Sequence, residues 1–122
     1  MGAYLIADVH ITDPATYEEY KRQVSPLIAR FGGRYAARAG RHEVLEGDWE
    51  PHRLVVLEFP DMAALKEWYE SPEYLSIKAI RERAATSRLI AVEGLDLGPT
   101  LGRFDQQVQN VIDSVQLSLD KN

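Results

Sequence analysis

Asp8 and His10 stand two positions apart in AYLIADVHI, residues 3–11. Side chains alternate across a strand, so both point to one face, where a carboxylate near an imidazole tunes a general base. The same spacing equally makes a polar pair at the rim of an apolar sheet. Glu58 is a second acid in apolar company. In HRLVVLEFPD it shares a strand face with Leu54 and Val56, while Val55, Leu57 and Phe59 occupy the other. An internal carboxylate without a partner tends to go neutral, whereas one beside an arginine stays charged. Pairing strands across the turn GDWEP sets Leu45 opposite Leu54, and one bulge shift then brings Arg38 alongside Glu58. Such a pair either fixes the strand register or forms a polar anchor at the bottom of a pocket.

A third constellation is aromatic and cationic: Trp68, Tyr69, Tyr74 and Arg81 in EWYESPEYLSIKAIR. Trp68 suits a core position, and WYESPEY equally suits the aromatic wall of a pocket between helices and sheet. Arg81, a helical step beyond Tyr74 and Ile77, has the reach and planar fork to grip a ligand carboxylate. The candidate ligand-binding residues are therefore Asp8, His10, Arg38, Glu58, Trp68, Tyr74 and Arg81, with no catalytic role assigned. His42 and His52 flank a bend and a turn, which predicts exposure. Three scattered histidines and no cysteine give no metal-ligand spacing, so neither metal nor cofactor is expected. Dinucleotide, Walker, nucleophile-elbow and zinc-protease motifs are absent from the sequence.

The elements that must position these residues follow from periodicity. Residues 3–11 alternate as a strand. Asp13 is a helix N-cap with Pro14 at the first position. Tyr17, Tyr20, Val24, Leu27, Ile28 and Phe31 then recur at helical spacing, and Gly32–Gly33 ends the helix. Pro26 predicts a kink or break near Ser25. Residues 34–47 read as strand on either side of Gly40, which predicts a bulge or bend. The strand over 52–59 follows. A helix starts from Asp61 with Met62, Leu65, Trp68 and Tyr69 inward, another from Ser71 with Pro72, and 88–94 form the last strand. The order β-α-β-β-α-β predicts an α+β fold, the ferredoxin-like split βαβ sandwich, with an antiparallel sheet and helices on one face.

That architecture leaves the other sheet face open. Its expected residues, Tyr4, Ile6, Leu54, Val56, Leu89 and Ala91, are largely apolar, and such a face is costly to leave wet. The same face of a second copy is the simplest cover, giving a closed barrel across a homodimer, with Trp49 available as an interface anchor. Residues 1–95 form this domain. Residues 96–122 read as a Gly/Pro loop and, from about Arg103, an appended helix carrying Phe104, Val108, Val111, Ile112, Val115 and Leu119 on one face.

Composition bounds the function. The chain has 122 residues, 45% of them hydrophobic and 27% charged, enough to build one watersoluble core. A net charge of −5 argues against nucleic acid. No apolar run reaches the roughly 20 residues a membrane helix needs. The absence of cysteine and of a basic, apolar leader fits the cytoplasm.

Several blocks together, AYLIADVHITDPATYEEY, FGGRYAARAG, VLEGDWEPHRLVVLEFP and EWYESPEYLSIKAIRERAATSRLIAVEGL, closely resemble the bacterial domain-of-unknown-function family 1330. The resemblance covers roughly Ala3 to Leu95 and stops before the tail. It implies the dimeric α+β-barrel superfamily and no known reaction. Relatives in that superfamily include cofactor-free monooxygenases, muconolactone isomerase, haem-binding enzymes and proteins without assigned activity. The acid, arginine and aromatic residues favour a cofactor-free isomerase or oxygenase acting on a small aromatic or enol-like molecule. A noncatalytic small-molecule-binding protein is the alternative, as is an interaction module using the C-terminal helix.

Overall fold

The structure, a computed structural model, describes residues 2–95. The expected tail helix lies outside the described residues. Within them the chain runs β1 (Ala3–Ile11), α1 (Pro14–Arg30), β2 (Arg34–Arg38), β3 (Arg53–Phe59), α2 (Met62–Glu70), α3 (Pro72–Ala84) and β4 (Ala85–Glu93). The strands form one sheet in the order β2-β3-β1-β4, every neighbour antiparallel. This is the ferredoxin-like sandwich, with β1 central as its near-unbroken apolar sequence demands.

Caps set the helix starts. Asp13 accepts from the Thr16 amide at 3.2 Å, and Asp61 accepts from the Ala64 amide at 2.8 Å. Pro26 does not break α1, which runs unbroken from Pro14 to Arg30. Pro26 lies on the exposed side, and the buried residues Val24, Leu27 and Ile28 hold the helix to the sheet across the missing amide. Packing therefore overrides a local penalty. α1 ends at Gly32, whose φ of +83° is left-handed. Gly33 follows because a Cβ there would come within 2.6 Å of the Phe59 ring.

The second strand departs from expectation. It stops at Arg38, and the strand reading of 41–47 is not realised: Leu45 is 88% exposed and faces no strand. The irregularity lies between Tyr35 and Ala37 rather than at Gly40. Ala39, with φ 56°, then turns the chain out of the sheet. β4 begins at Ala85, three residues before the expected Arg88.

One face of the sheet carries the helices and the core. Ala3, Leu5, Ala7 and Val9 of β1 meet Leu57 and Phe59 of β3, with Tyr17, Tyr20, Val24, Leu65, Trp68 and Tyr74 above them. The opposite face has no cover within the described chain. Its β1 and β3 residues are as expected, since Ile6 pairs with Val56 and Asp8 with Leu54. Its β4 residues are not. Ile6 pairs with Ile90 and Tyr4 with Val92, so Ile90 and Val92 occupy the open face while Leu89 and Ala91 have the helix-side parity. Ile90 is 64% and Val92 46% exposed.

Candidate functional site

Two regions gather the singled-out residues, one on each face of the sheet. On the open face, β1 places Asp8 at the end where the 39–52 connection returns. Asp8 is buried and accepts from the Trp49 indole at 3.0 Å and the His52 backbone amide at 2.9 Å. These two bonds, the indole's foremost, hold its carboxyl below the ordinary aspartate value. His10 lies on the same strand face but stacks on His52, with ring centroids 4.1 Å apart and 15° between planes. Asp8 and His10 therefore do not form an acid–base pair. The carboxylate is a clamp for the connection, Trp49 is its indole donor, and both histidines are exposed. A recess of about 460 Å³ adjoins this clamp, lined by Ile6, Asp8, Trp49, Arg88 and Ile90 with Asp48 and Glu50 at its edge.

At the far end of the same face stands Glu58. Its partners are Tyr4 and Arg34, not Arg38. The Tyr4 hydroxyl donates to one oxygen at 2.9 Å, and Arg34 Nε donates to the other at 2.6 Å. Tyr4 first and Arg34 second hold the Glu58 carboxyl below its usual value, and the same bond raises Tyr4. The reason is the register: residues 39–52 form no strand, so β2 pairs with β3 from Arg34 onward. Arg34 pairs with Glu58, but the extra residue between Tyr35 and Ala37 moves Arg38 opposite Val55, on the helix side. Arg38 there lies over the Tyr35 ring, 4.5 Å from its centroid. Only the strand pairing could have revealed Arg34 as the partner.

The second region is the cleft between helices and sheet. A single serine joins its walls. Ser71 Oγ donates to the Trp68 carbonyl at 2.8 Å and accepts from the Tyr74 amide at 3.1 Å, so it closes α2 and caps α3. That joint sets Trp68 against Tyr74, ring centroids 4.3 Å apart. Tyr74 shares a hydrogen bond of 3.0 Å with Tyr20 of α1. Trp68 is thus both a core residue, 1% exposed, and part of the cleft lining. Arg81, 6% exposed, enters from α3. Arg53, missed from sequence, enters from β3 and lies 5.6 Å from the Tyr17 ring centroid. Its signal was legible: it shares strand parity with Val55 and Leu57, which face the core.

The cleft's electrostatics run against the acidic chain. Lys21, Arg38, Arg53 and Arg81 line it, with Tyr17, Tyr20, Tyr35 and Tyr74, and among the described residues no carboxylate does. The Nε atoms of Arg53 and Arg81 and the indole nitrogen of Trp68 are buried and have no hydrogen-bond partner among the described residues. Burial pushes the Tyr17 and Tyr20 phenols up, so both remain neutral donors rather than bases. The enclosed space is about 40 Å³. Among the described residues no cluster of histidine and carboxylate side chains has metal-binding geometry.

A four-stranded antiparallel sheet with helices on one face and a cation-lined cleft beneath them defines a ferredoxin-like α+β protein. The chain belongs to the family described as Domain of unknown function (DUF1330), whose model matches residues 2–95. No curated protein matches. Solved structures share the fold. A protein of unknown function from Rhodopseudomonas palustris is 24% identical, with a TM-score of 0.63 over 78% of this chain and 83% of its own. A dimeric ferredoxin-like protein of unknown function from Jannaschia sp. CCS1 is 15% identical, with a TM-score of 0.59 over 77% of this chain and 100% of its own. SnoaB, a cofactor-independent oxygenase from Streptomyces nogalater, is 15% identical, with a TM-score of 0.54 over 80% of this chain and 97% of its own. At these identities the likeness is one of fold.

Proposed function

We propose that this chain is a homodimeric small-molecule protein whose ligand enters the helix–sheet cleft. Three orphaned donors in that one cleft, Arg53 Nε, Arg81 Nε and Trp68 Nε1, support it above all. Each buried donor left without a partner costs about 1–3 kcal/mol, a cost a bound acceptor removes. The recess beside Asp8 is larger but a poorer candidate. Asp8 is already satisfied by Trp49 and His52, and the recess lies on the sheet face that a second copy would cover.

Where the protein is catalytic, a cofactor-free oxygenase fits the lining better than an isomerase. An isomerase must remove a proton and return it, and among the described residues no carboxylate or imidazole lines the enclosed centre of the cleft beside Arg53 and Arg81. An acidic enol that binds already ionised needs no protein base, and Arg81 and Arg53 stabilise its anion. The anion's ring carbon, which keeps one hydrogen, bonds to dioxygen to give a ring peroxide; loss of that hydrogen with cleavage of the O–O bond leaves the carbonyl and hydroxide, which takes a solvent proton to become water. SnoaB, the oxygenase of like fold, is compatible with this form. A noncatalytic binding protein uses the same donors.

Dimerisation follows from the open face. Fully burying a Val or Ile side chain contributes about 1.5–3 kcal/mol, and Ile6, Val56, Ile90 and Val92 lie together there. A dimeric protein of like fold supports the same assembly. Native mass spectrometry of the purified chain tests both halves. It should show twice the chain mass, with a small molecule released on denaturation and consumed in an oxygen-uptake assay if the protein is an oxygenase. A bare monomer at micromolar concentration would remove the basis of the dimer. Failure of any aromatic acid or enol to bind would remove that of the cleft.

A further inference from the structure

The cleft shares lining residues with two surface recesses, and the two differ. Toward α1 the lining residues Lys21 and Arg38 continue into a shallow recess shared with Glu18, Arg22 and Ser25. Lys21 is already paired there with Glu18 at 2.7 Å, and Arg38 is exposed over Tyr35. The two recesses are of similar size, about 400 and 420 Å³, but at this end the cation is already neutralised. Toward α3 the lining residues Arg81 and Leu89 continue into a recess of about 420 Å³, which adds Tyr69, Ala85, Ser87 and, at the rim, Glu82. This volume lies within the ordinary range for a small-molecule site, roughly 300–1,000 Å³. Ser87 Oγ is buried there without a partner among the described residues.

Between recess and centre stands Arg81. It is buried, its Nε is orphaned, and no carboxylate lies within ion-pair distance of it among the described residues. The enclosed space beyond it, about 40 Å³, exceeds the roughly 10–15 Å³ that on the same measure holds one water. It accepts a compact charged head group and excludes a ring.

We propose that the cleft takes a planar conjugated monocarboxylate, its carboxylate seated in the enclosed space on Arg81 and its ring in the recess beside Tyr69. This rests on the cleft being the ligand site. A carboxylate accepts from the planar guanidinium fork and supplies the counter-charge that the fold omits. Arg53, which also lines the enclosed space, is the second cation. Tyr69 and Leu89 give the ring an aromatic and an aliphatic wall, and Ser87 Oγ meets a polar ring substituent. Glu82 at the rim disfavours a second negative charge at the outer end.

Calorimetric titration with 2-naphthoate and its neutral counterpart 2-naphthamide tests this on the full chain. The naphthoate should bind at least tenfold more tightly. Arg81→Gln should abolish that preference, Arg53→Gln should reduce it, and Arg83→Gln, on the exposed side of α3, should leave it intact. The Arg81 Nε–H resonance should move with naphthoate and not with the amide. Equal binding of both probes would overturn the carboxylate assignment while leaving the cleft as a ligand site. Binding of neither, with the Trp68 indole resonance unmoved, would overturn the cleft itself. The comparison in the unaltered protein decides the matter even where Arg81→Gln does not fold.

Discussion

Asp8 has the lowest tolerance for change on the open face. Its carboxylate ties the returning connection to β1 through the Trp49 indole and the His52 amide. Because its folded pKa is depressed, its contribution is fully present above the unfolded value of about 3.9 and is lost as pH falls through the folded value. Acid below about pH 4 should therefore loosen the connection before the core, seen as a shift of the Trp49 indole resonance while that of Trp68 holds. Loss of both together would mean the clamp is not a separate unit. Glu58 gives a second residue-scale outcome. In double-mutant cycles, Glu58→Gln should couple to Tyr4→Phe and Arg34→Met and not to Arg38→Met. Coupling to Arg38 instead would mean a different register between β2 and β3.

Among the elements, the joint between α2 and α3 decides the cleft's shape. Ser71 satisfies the Trp68 carbonyl and the Tyr74 amide with one hydroxyl. Ser71→Ala should cost about 1 kcal/mol, within the 0.5–2 typical of a lost N-cap, as a lower urea midpoint at unchanged slope. Since the same bonds orient the two rings, the change should also alter Trp68 fluorescence. Unchanged stability and spectrum would show that packing alone sets the angle between the helices. β2 is the opposite case. It is five residues long, mostly exposed, and bears a bulge, so its side-chain parity switches partway along.

For the whole molecule, the open face is the one proposed to meet a second copy, and the covered face carries the core. Val56→Asp and Ile90→Asp each put an unpaired charge where the second copy is proposed to sit. Sedimentation should then report one chain instead of two, with the helical signal kept. Leu89→Asp should behave differently, because Leu89 packs against the helix-side core. It should lower stability rather than association. Reversal of these two outcomes would mean that β4 presents its other side.

The element order, the caps at Asp13, Asp61 and Ser71, and the parity of β1 and β3 were legible in the sequence. They depend on local spacing and on contacts a few residues apart. The inward placement of Trp68, Tyr74 and Arg81 was legible for the same reason, since helical periodicity puts Leu65 with Trp68 on one side of α2 and Tyr74 with Arg81 on one side of α3. Everything that turned on pairing distant strands was not. Arg34 rather than Arg38 meets Glu58 because residues 39–52 leave the sheet and β2 pairs with β3 from its first residue, and nothing local to that segment fixes this register. Ile90 rather than Leu89 faces outward because β4 contains apolar residues at both parities, so only its register with β1 chooses. Trp49 and His52 reach Asp8 from more than 40 positions away. Arg53 joins Arg81 only where α3 crosses the sheet. The sequence by itself determined which segments become helix and strand; the tertiary structure decided which charges meet, because a one-residue shift in register moves a side chain to the opposite face of the sheet.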